Sequence, residues 1–175
     1  MNATGPHNHP ADLPDMRTVP LHVARQPISV LLVDDDTDCR MLIRDSIALL
    51  SEPYHVYEAC NGVEAIELLS RKGGDGQDPL PGLIFMDVEM PRQDGLETLR
   101  RIKSDERLKH IPVVMMTGVS DEAYMEKAAA YGANSYTLKP ADADCFLKTV
   151  AASTAYWLTV HQYPQQRLPQ TLCRR

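Results

Sequence analysis

The sequence predicts an α/β protein in which a five-stranded parallel sheet is doubly wound, with helices on both faces. Three observations carry this. Strand-like and helix-like segments alternate strictly between residues 28 and 157, the pattern of a parallel sheet with crossover helices. Several strand segments are near-continuous apolar runs, as expected of strands covered on both faces. The residues that follow four of the strands are acids, a threonine and a lysine, which such a sheet gathers at its carboxyl edge.

Ile28 to Val33 is an apolar, β-branched run broken by one serine and opens the sheet. Asp36 or Thr37 caps a helix that shows Cys39, Leu42, Ile43, Ile47 and Leu50 at helical spacing. Tyr54 to Ala59 reads as the second strand and Val63 to Leu69 as the second helix, followed by a loop at Gly73-Gly74-Asp75-Gly76. Leu83 to Met86 is the third strand and ends at Asp87, while Leu96, Leu99 and Ile102 mark the third helix. Pro112 introduces the fourth strand, Val113 to Met116. Asp121 caps a helix to Tyr131, and Gly132 stops it in a position suited to a left-handed cap. Ser135 to Leu138 is the fifth strand. The last helix runs from about Asp142 to at least Trp157, with Phe146, Val150, Ser153 and Trp157 along one side.

Outside this core, residues 1–27 hold five of the thirteen prolines and no apolar period, and read as a disordered segment. His7 and His9 belong to this polar tail. Residues 158–175 form an extension with Arg167, Arg174 and Arg175 and no acids. The chain's −6 less the +3 of that extension leaves −9 on residues 28–157, because the N-terminal charges cancel. Acidity on the folded part argues against a general nucleic-acid-binding role. No apolar run reaches the roughly 20 residues that span a bilayer, and no signal-peptide pattern opens the chain, so a cytoplasmic location is expected. Cys39, Cys60, Cys145 and Cys173 show no C-x-x-C pairing and read as reduced, mostly packing thiols.

The strand ends carry the chemistry. The first strand ends in Asp34-Asp35-Asp36, the third in Asp87, the fourth in Thr117 and the fifth in Lys139-Pro140. Each has an ordinary explanation alone, as a helix cap, a turn residue or a surface charge. Their joint arrival at one edge does not. Two carboxylates about 4 Å apart repel by about 4 kcal/mol at an effective dielectric near 20, so the group calls for a counterion. An all-oxygen site of this kind suits Mg²⁺. It would let a carboxylate attack phosphorus while the metal clamps a phosphoryl oxygen and the hydroxyl and lysine donate to the others.

The segments LLVDDDTD, LIFMDVEMPRQDGLETL, IPVVMMTG, YGANSY and LKP together resemble the receiver domain of two-component response regulators, over residues 28–157. The resemblance implies a flavodoxin-like sheet of order 2-1-3-4-5. It gives Asp87 as the phosphoacceptor and Asp34 and Asp35 as the acidic pair that holds Mg²⁺, Asp35 the more direct ligand. Glu89 stands where a backbone carbonyl completes the metal shell. Thr117 becomes the switch hydroxyl, Tyr136 the aromatic that moves with it, and Lys139 the lysine of the site, with a cis Lys139-Pro140 bond. It further implies a signalling protein rather than an enzyme, a sensor histidine kinase as donor and a downstream protein as target. No output domain is expected, since eighteen residues after Trp157 are too few for a helix-turn-helix unit.

The loop before the third strand, LKHIPVV and AYWLTVHQYP resemble the small stand-alone regulators paired with bacterial phytochromes, which implies a homodimer built on the last helix. Tyr156, Trp157, Leu158 and Val160 offer an apolar strip for it. Ala141 departs from the family, which often has an aromatic after Lys-Pro, and Glu89 adds an acid beside Asp87. Three other readings stay open. Asp87-Val88-Glu89 superficially suits an aspartate-nucleophile phosphatase, the sheet alone would suit a flavin binder, and a degenerate receiver would serve only for docking.

Overall fold

The computed structural model describes residues 29–50, 54–72, 79–118 and 120–160. The expected disordered segment 1–27, the whole Gly73–Gly76 loop, Cys173 and the arginines of the extension lie outside the described residues. Five parallel strands, β1 (Ser29–Val33), β2 (His55–Ala59), β3 (Leu83–Asp87), β4 (Val113–Thr117) and β5 (Ser135–Leu138), alternate with helices α1 (Thr37–Ala48), α2 (Gly62–Lys72), α3 (Gly95–Ser104), α4 (Glu122–Ala130) and α5 (Ala143–Ala155). The sheet order is β2-β1-β3-β4-β5, all neighbours parallel, as expected.

The pleat explains the continuous apolar runs. Val30 and Leu32 of β1, Leu83 and Phe85 of β3, and Val114 and Met116 of β4 pack with Cys39, Ile43 and Ile47 of α1 and Phe146 and Val150 of α5. The alternate residues Leu31, Val33, Ile84, Met86, Val113 and Met115 pack with Ala65 and Leu69 of α2, Leu96, Leu99 and Ile102 of α3, and Ala128 of α4. Every residue of β1, β3 and β4 is therefore buried, whereas the edge strands β2 and β5 are only partly covered. Successive side chains face opposite ways, so a strand with helices on both sides must be apolar throughout.

The caps follow the sequence. Asp36, not Thr37, caps α1 by accepting from the Asp38 and Cys39 amides, and Asp94, Asp121 and Asp142 do the same for α3, α4 and α5. Gly132 sits at φ +89°, with its amide on Ala129 O and the Ala133 amide on Ala128 O, the paired bonds of a Schellman motif. Gly95 is required for another reason. A Cβ there would lie 2.0 Å from the Asp87 carbonyl oxygen, so only glycine lets α3 begin against the end of β3.

Three expectations need correction. The inward side of the last helix is Phe146, Val150, Thr154 and Leu158, with Ser153 and Trp157 only half-buried. The α-helix ends at Ala155 and continues as a π-helical turn, Tyr156–Val160. Thr154 tolerates burial because its hydroxyl donates to Val150 O at 2.8 Å. The Lys139-Pro140 peptide is trans, the form an X-Pro bond prefers by about 0.5–1 kcal/mol when nothing opposes it. Of the three described cysteines, all free, only Cys39 is buried.

Candidate phosphoryl-acceptor site

The carboxyl edge of the sheet brings Asp34, Asp35, Asp87 and Lys139 together. Asp34 and Asp87 are buried and Asp35 is exposed, and one ligand oxygen from each lies within 4.8 Å of the others. The Asp34 carboxylate is already engaged. Its Oδ1 accepts from the Asp36 amide at 3.0 Å and its Oδ2 from Lys139 Nζ at 2.8 Å. Lys139 reaches across to Asp87 Oδ1 at 3.0 Å, and its own amide donates to Thr117 O at 2.7 Å, which ties the end of β5 to β4.

Burial sets the electrostatics. It pushes the Asp87 pKa up to about 6, against the opposing charge and hydrogen bond of Lys139. Burial also works against the Lys139 ammonium, but the hydrogen bond and charge of Asp34, with the charge of Asp87, reverse this and hold its pKa above the ordinary lysine value. One ammonium thus serves two buried carboxylates beside a third that is exposed. The three carboxylates fit a hard divalent cation: the donors are all oxygen, they are close together, and the exposed Asp35 leaves an entry side. The Glu89 side chain is exposed and outside this cluster.

Thr117 is buried at the end of β4, and Tyr136 on β5 is paired with Met115. The Tyr136 ring packs on the α2–α3–α4 side of the sheet, and its hydroxyl is enclosed. Burial raises the Tyr136 pKa while Thr117 counteracts this by hydrogen bonding, yet the contact falls short of a well-aligned bond.

The response regulator receiver domain profile matches residues 30–151. The chain belongs to that family. The probable methanogenesis regulatory protein FilR2 of Methanothrix harundinacea is 32% identical to this receiver over 141 residues, 81% of this chain and 90% of its own length. The polar-differentiation response regulator DivK of Brucella anthropi is 32% identical over 124 residues, 71% of this chain and 94% of its own. Among solved structures, the phosphorylated cyanobacterial phytochrome response regulator RcpA matches with a TM-score of 0.74 at 29% identity, covering 79% of this chain and 99% of its own. The Mn²⁺-bound response regulator Rcp1 matches at 0.72 and 28% over the same shares. The receiver is thus a two-component response regulator of the flavodoxin-like fold, similar to phytochrome response regulators.

Around the predicted residues the receiver places groups that sequence reasoning passed over. Cys39, taken only as part of an apolar face, lies beside Asp34 and Lys139, and burial first and Asp34 second push its thiol up to about 12. Arg40 sends Nη1 to Asp34 O at 2.6 Å and Nε to Glu58 Oε2 at 3.0 Å. In the loop after Asp87, Gln93 is buried between Thr98 Oγ1 at 2.9 Å and Arg101 Nη1 at 2.8 Å. The only available signal for Arg40 was a cation six residues after Asp34, and a helix surface offers that just as readily.

Proposed function

We propose that this receiver accepts a phosphoryl group on Asp87 from a sensor histidine kinase, with Mg²⁺, and relays the signal by protein–protein contact. The observation that carries the reading is the meeting of Asp34, Asp35, Asp87 and Lys139 in one pocket, with Thr117 and Tyr136 beside it. An Asp87 oxygen attacks phosphorus. The new O–P bond forms as the P–N bond to the donor imidazole breaks, and the nitrogen keeps that electron pair. Asp34, Asp35 and the Glu89 carbonyl, with Asp87, are the groups that would hold Mg²⁺, which when bound supplies positive charge to the phosphoryl oxygens. Lys139, already 3.0 Å from Asp87, is placed to donate to a second phosphoryl oxygen.

The phosphoryl group adds about 1.5–2 negative charges and three acceptors. Thr117 turns its hydroxyl toward it, and Tyr136 follows into the space that Thr117 leaves. The face that changes is that of α4 and β5, where Tyr124, Met125 and Leu138 are exposed. Glu89 adds charge at the rim and bears on the lifetime of the aspartyl phosphate. Residues 28–157 are the receiver and 158–175 the extension. The likeness to the phytochrome response regulator RcpA supports a phytochrome-type kinase as donor, and the exposed Tyr156 and Val160 at the end of the last helix support a homodimer there. No helix among the described residues is long and apolar enough to cross a membrane, in keeping with a cytoplasmic role.

A phosphotransfer profile against purified, autophosphorylated histidine kinases tests the reading. One kinase should transfer label within its first turnover to the wild type and leave Asp87→Asn unlabelled. Sustained hydrolysis of an added phosphomonoester, with no transfer from any kinase, would favour the phosphatase reading instead.

A further inference from the structure

We propose that Arg40 and Glu58 form a clasp that positions the Asp34–Asp36 turn for divalent-cation binding, with Arg40 as the positioning residue. The proposal deepens the reading of the three carboxylates as a cation site and rests on it. Arg40 lies in the first turn of α1, where the positive end of the helix disfavours a cation, so its own helix gives it no reason to be there. Its contacts supply one. Nη1 donates to Asp34 O at 2.6 Å, Nη2 to Thr37 Oγ1 at 3.2 Å and Nε to Glu58 Oε2 at 3.0 Å. Three nitrogens of one planar group thus join the end of β1, the start of α1 and strand β2, with only 13% of the side chain exposed. Glu58 is itself held from the other side by Arg44 Nη1 at 3.1 Å.

The atom that Arg40 grips gives the clasp its consequence. Asp34 O belongs to the peptide that joins Asp34 to Asp35, so holding it orients the plane from which both carboxylates depart. The rest of the turn is secured by the Asp34 amide on Ala59 O at 3.1 Å and the Asp36 amide on Asp34 Oδ1 at 3.0 Å. The Asp35 carboxylate is exposed and has no hydrogen-bond or ion-pair partner among the described residues. It is therefore positioned only through the backbone, which the clasp holds together with those two bonds. A lysine has the charge but not the rigid fork that meets three acceptors at once.

Charge and positioning make opposite predictions here. Were Arg40 merely a cation beside acids, its removal would strengthen the binding of another cation. If it positions the turn, its removal weakens that binding, and lysine does not restore it. Titration of the full chain with Mn²⁺, read by the electron paramagnetic resonance of the free ion, separates the two. Arg40→Ala and Arg40→Lys should each bind Mn²⁺ about tenfold more weakly than wild type, as loss of an outer-shell partner commonly does, while Glu58→Gln loses less. The metal-free melting temperature of Arg40→Lys should stay near wild type, which excludes general unfolding as the cause. Equal or tighter Mn²⁺ binding by Arg40→Ala, or wild-type affinity in Arg40→Lys, overturns the clasp. Asp35→Asn judges the underlying reading separately. If the wild type binds no Mn²⁺, or Asp35→Asn binds as well as wild type, the cation site itself is wrong and the clasp falls with it.

Discussion

Asp87 is a buried acid whose ionisation the fold resists. Its pKa is raised from 3.8 to about 6, chiefly by burial. A raised carboxylate pKa means that the native state holds its proton more tightly than the unfolded chain does. The cost of ionising Asp87 is therefore fully present above about pH 6, shrinks as the pH falls through 6 and is gone near 4. Asp87→Asn should accordingly stabilise the cation-free protein at about pH 8 by on the order of 1–2 kcal/mol, read as a raised melting temperature. The gain should fade toward about pH 4. Thermal melts at the two pH values check this, and an equal gain at both would show that Asp87 is not the strained acid. The same charges were legible in the sequence because four strands each deliver polar groups to one edge. Arg40 and Glu58 were not, because their roles arise where α1 and β2 meet, nor was Cys39, which meets Asp34 and Lys139 only once the sheet has formed; no spacing along the chain encodes either meeting.

The secondary-structure elements divide in the same way. β1, β3 and β4 were readable because burial on both faces forces an unbroken apolar run, and three helix starts because Asp36, Asp121 and Asp142 mark them. The last helix was misread in phase. After Val150 a 3.6-residue period admits either Ser153 and Trp157 or Thr154 and Leu158 as the inward pair, and each pair holds one hydroxyl residue. What settles the phase is a bond that composition does not show, from Thr154 to Val150 O, together with the π-helical turn that follows. As a result the apolar strip is split. Leu158 is buried against the α1 side of the sheet and Trp157 packs beside it, while Tyr156 and Val160 remain 51% and 60% exposed. Leu158→Ala should therefore cost about 2–4 kcal/mol in the melting of the monomer unit. Tyr156→Ser with Val160→Ser should leave that unit's stability nearly unchanged and lower the sedimenting mass, if the proposed dimer uses them. A monomeric wild type, or a dimer indifferent to the pair, would remove this strip from the interface.

At the scale of the whole molecule, the sheet separates two tasks. Its carboxyl edge gathers the acids, Lys139 and Thr117, and its β5 side exposes the apolar groups that a partner could read. Tyr136 lies between them, with its ring on the α4 side and its hydroxyl beside Thr117. Under the proposed function, such an arrangement would convert a local charge change into a change of surface without unfolding the core, because β1, β3 and β4 are packed on both faces. All of this depends on the phosphoryl group being taken up at Asp87 and not elsewhere. The most direct test is to treat the full chain with acetyl phosphate and Mg²⁺, reduce any acyl phosphate with borohydride, and map the modified residue by peptide mass spectrometry. An aspartyl phosphate is reduced to homoserine, so the residue that carried it is marked permanently. The account predicts homoserine at position 87 alone, dependent on Mg²⁺ and absent from Asp87→Asn. Homoserine at position 34 or 35 instead of 87, or label retained in Asp87→Asn, would contradict it.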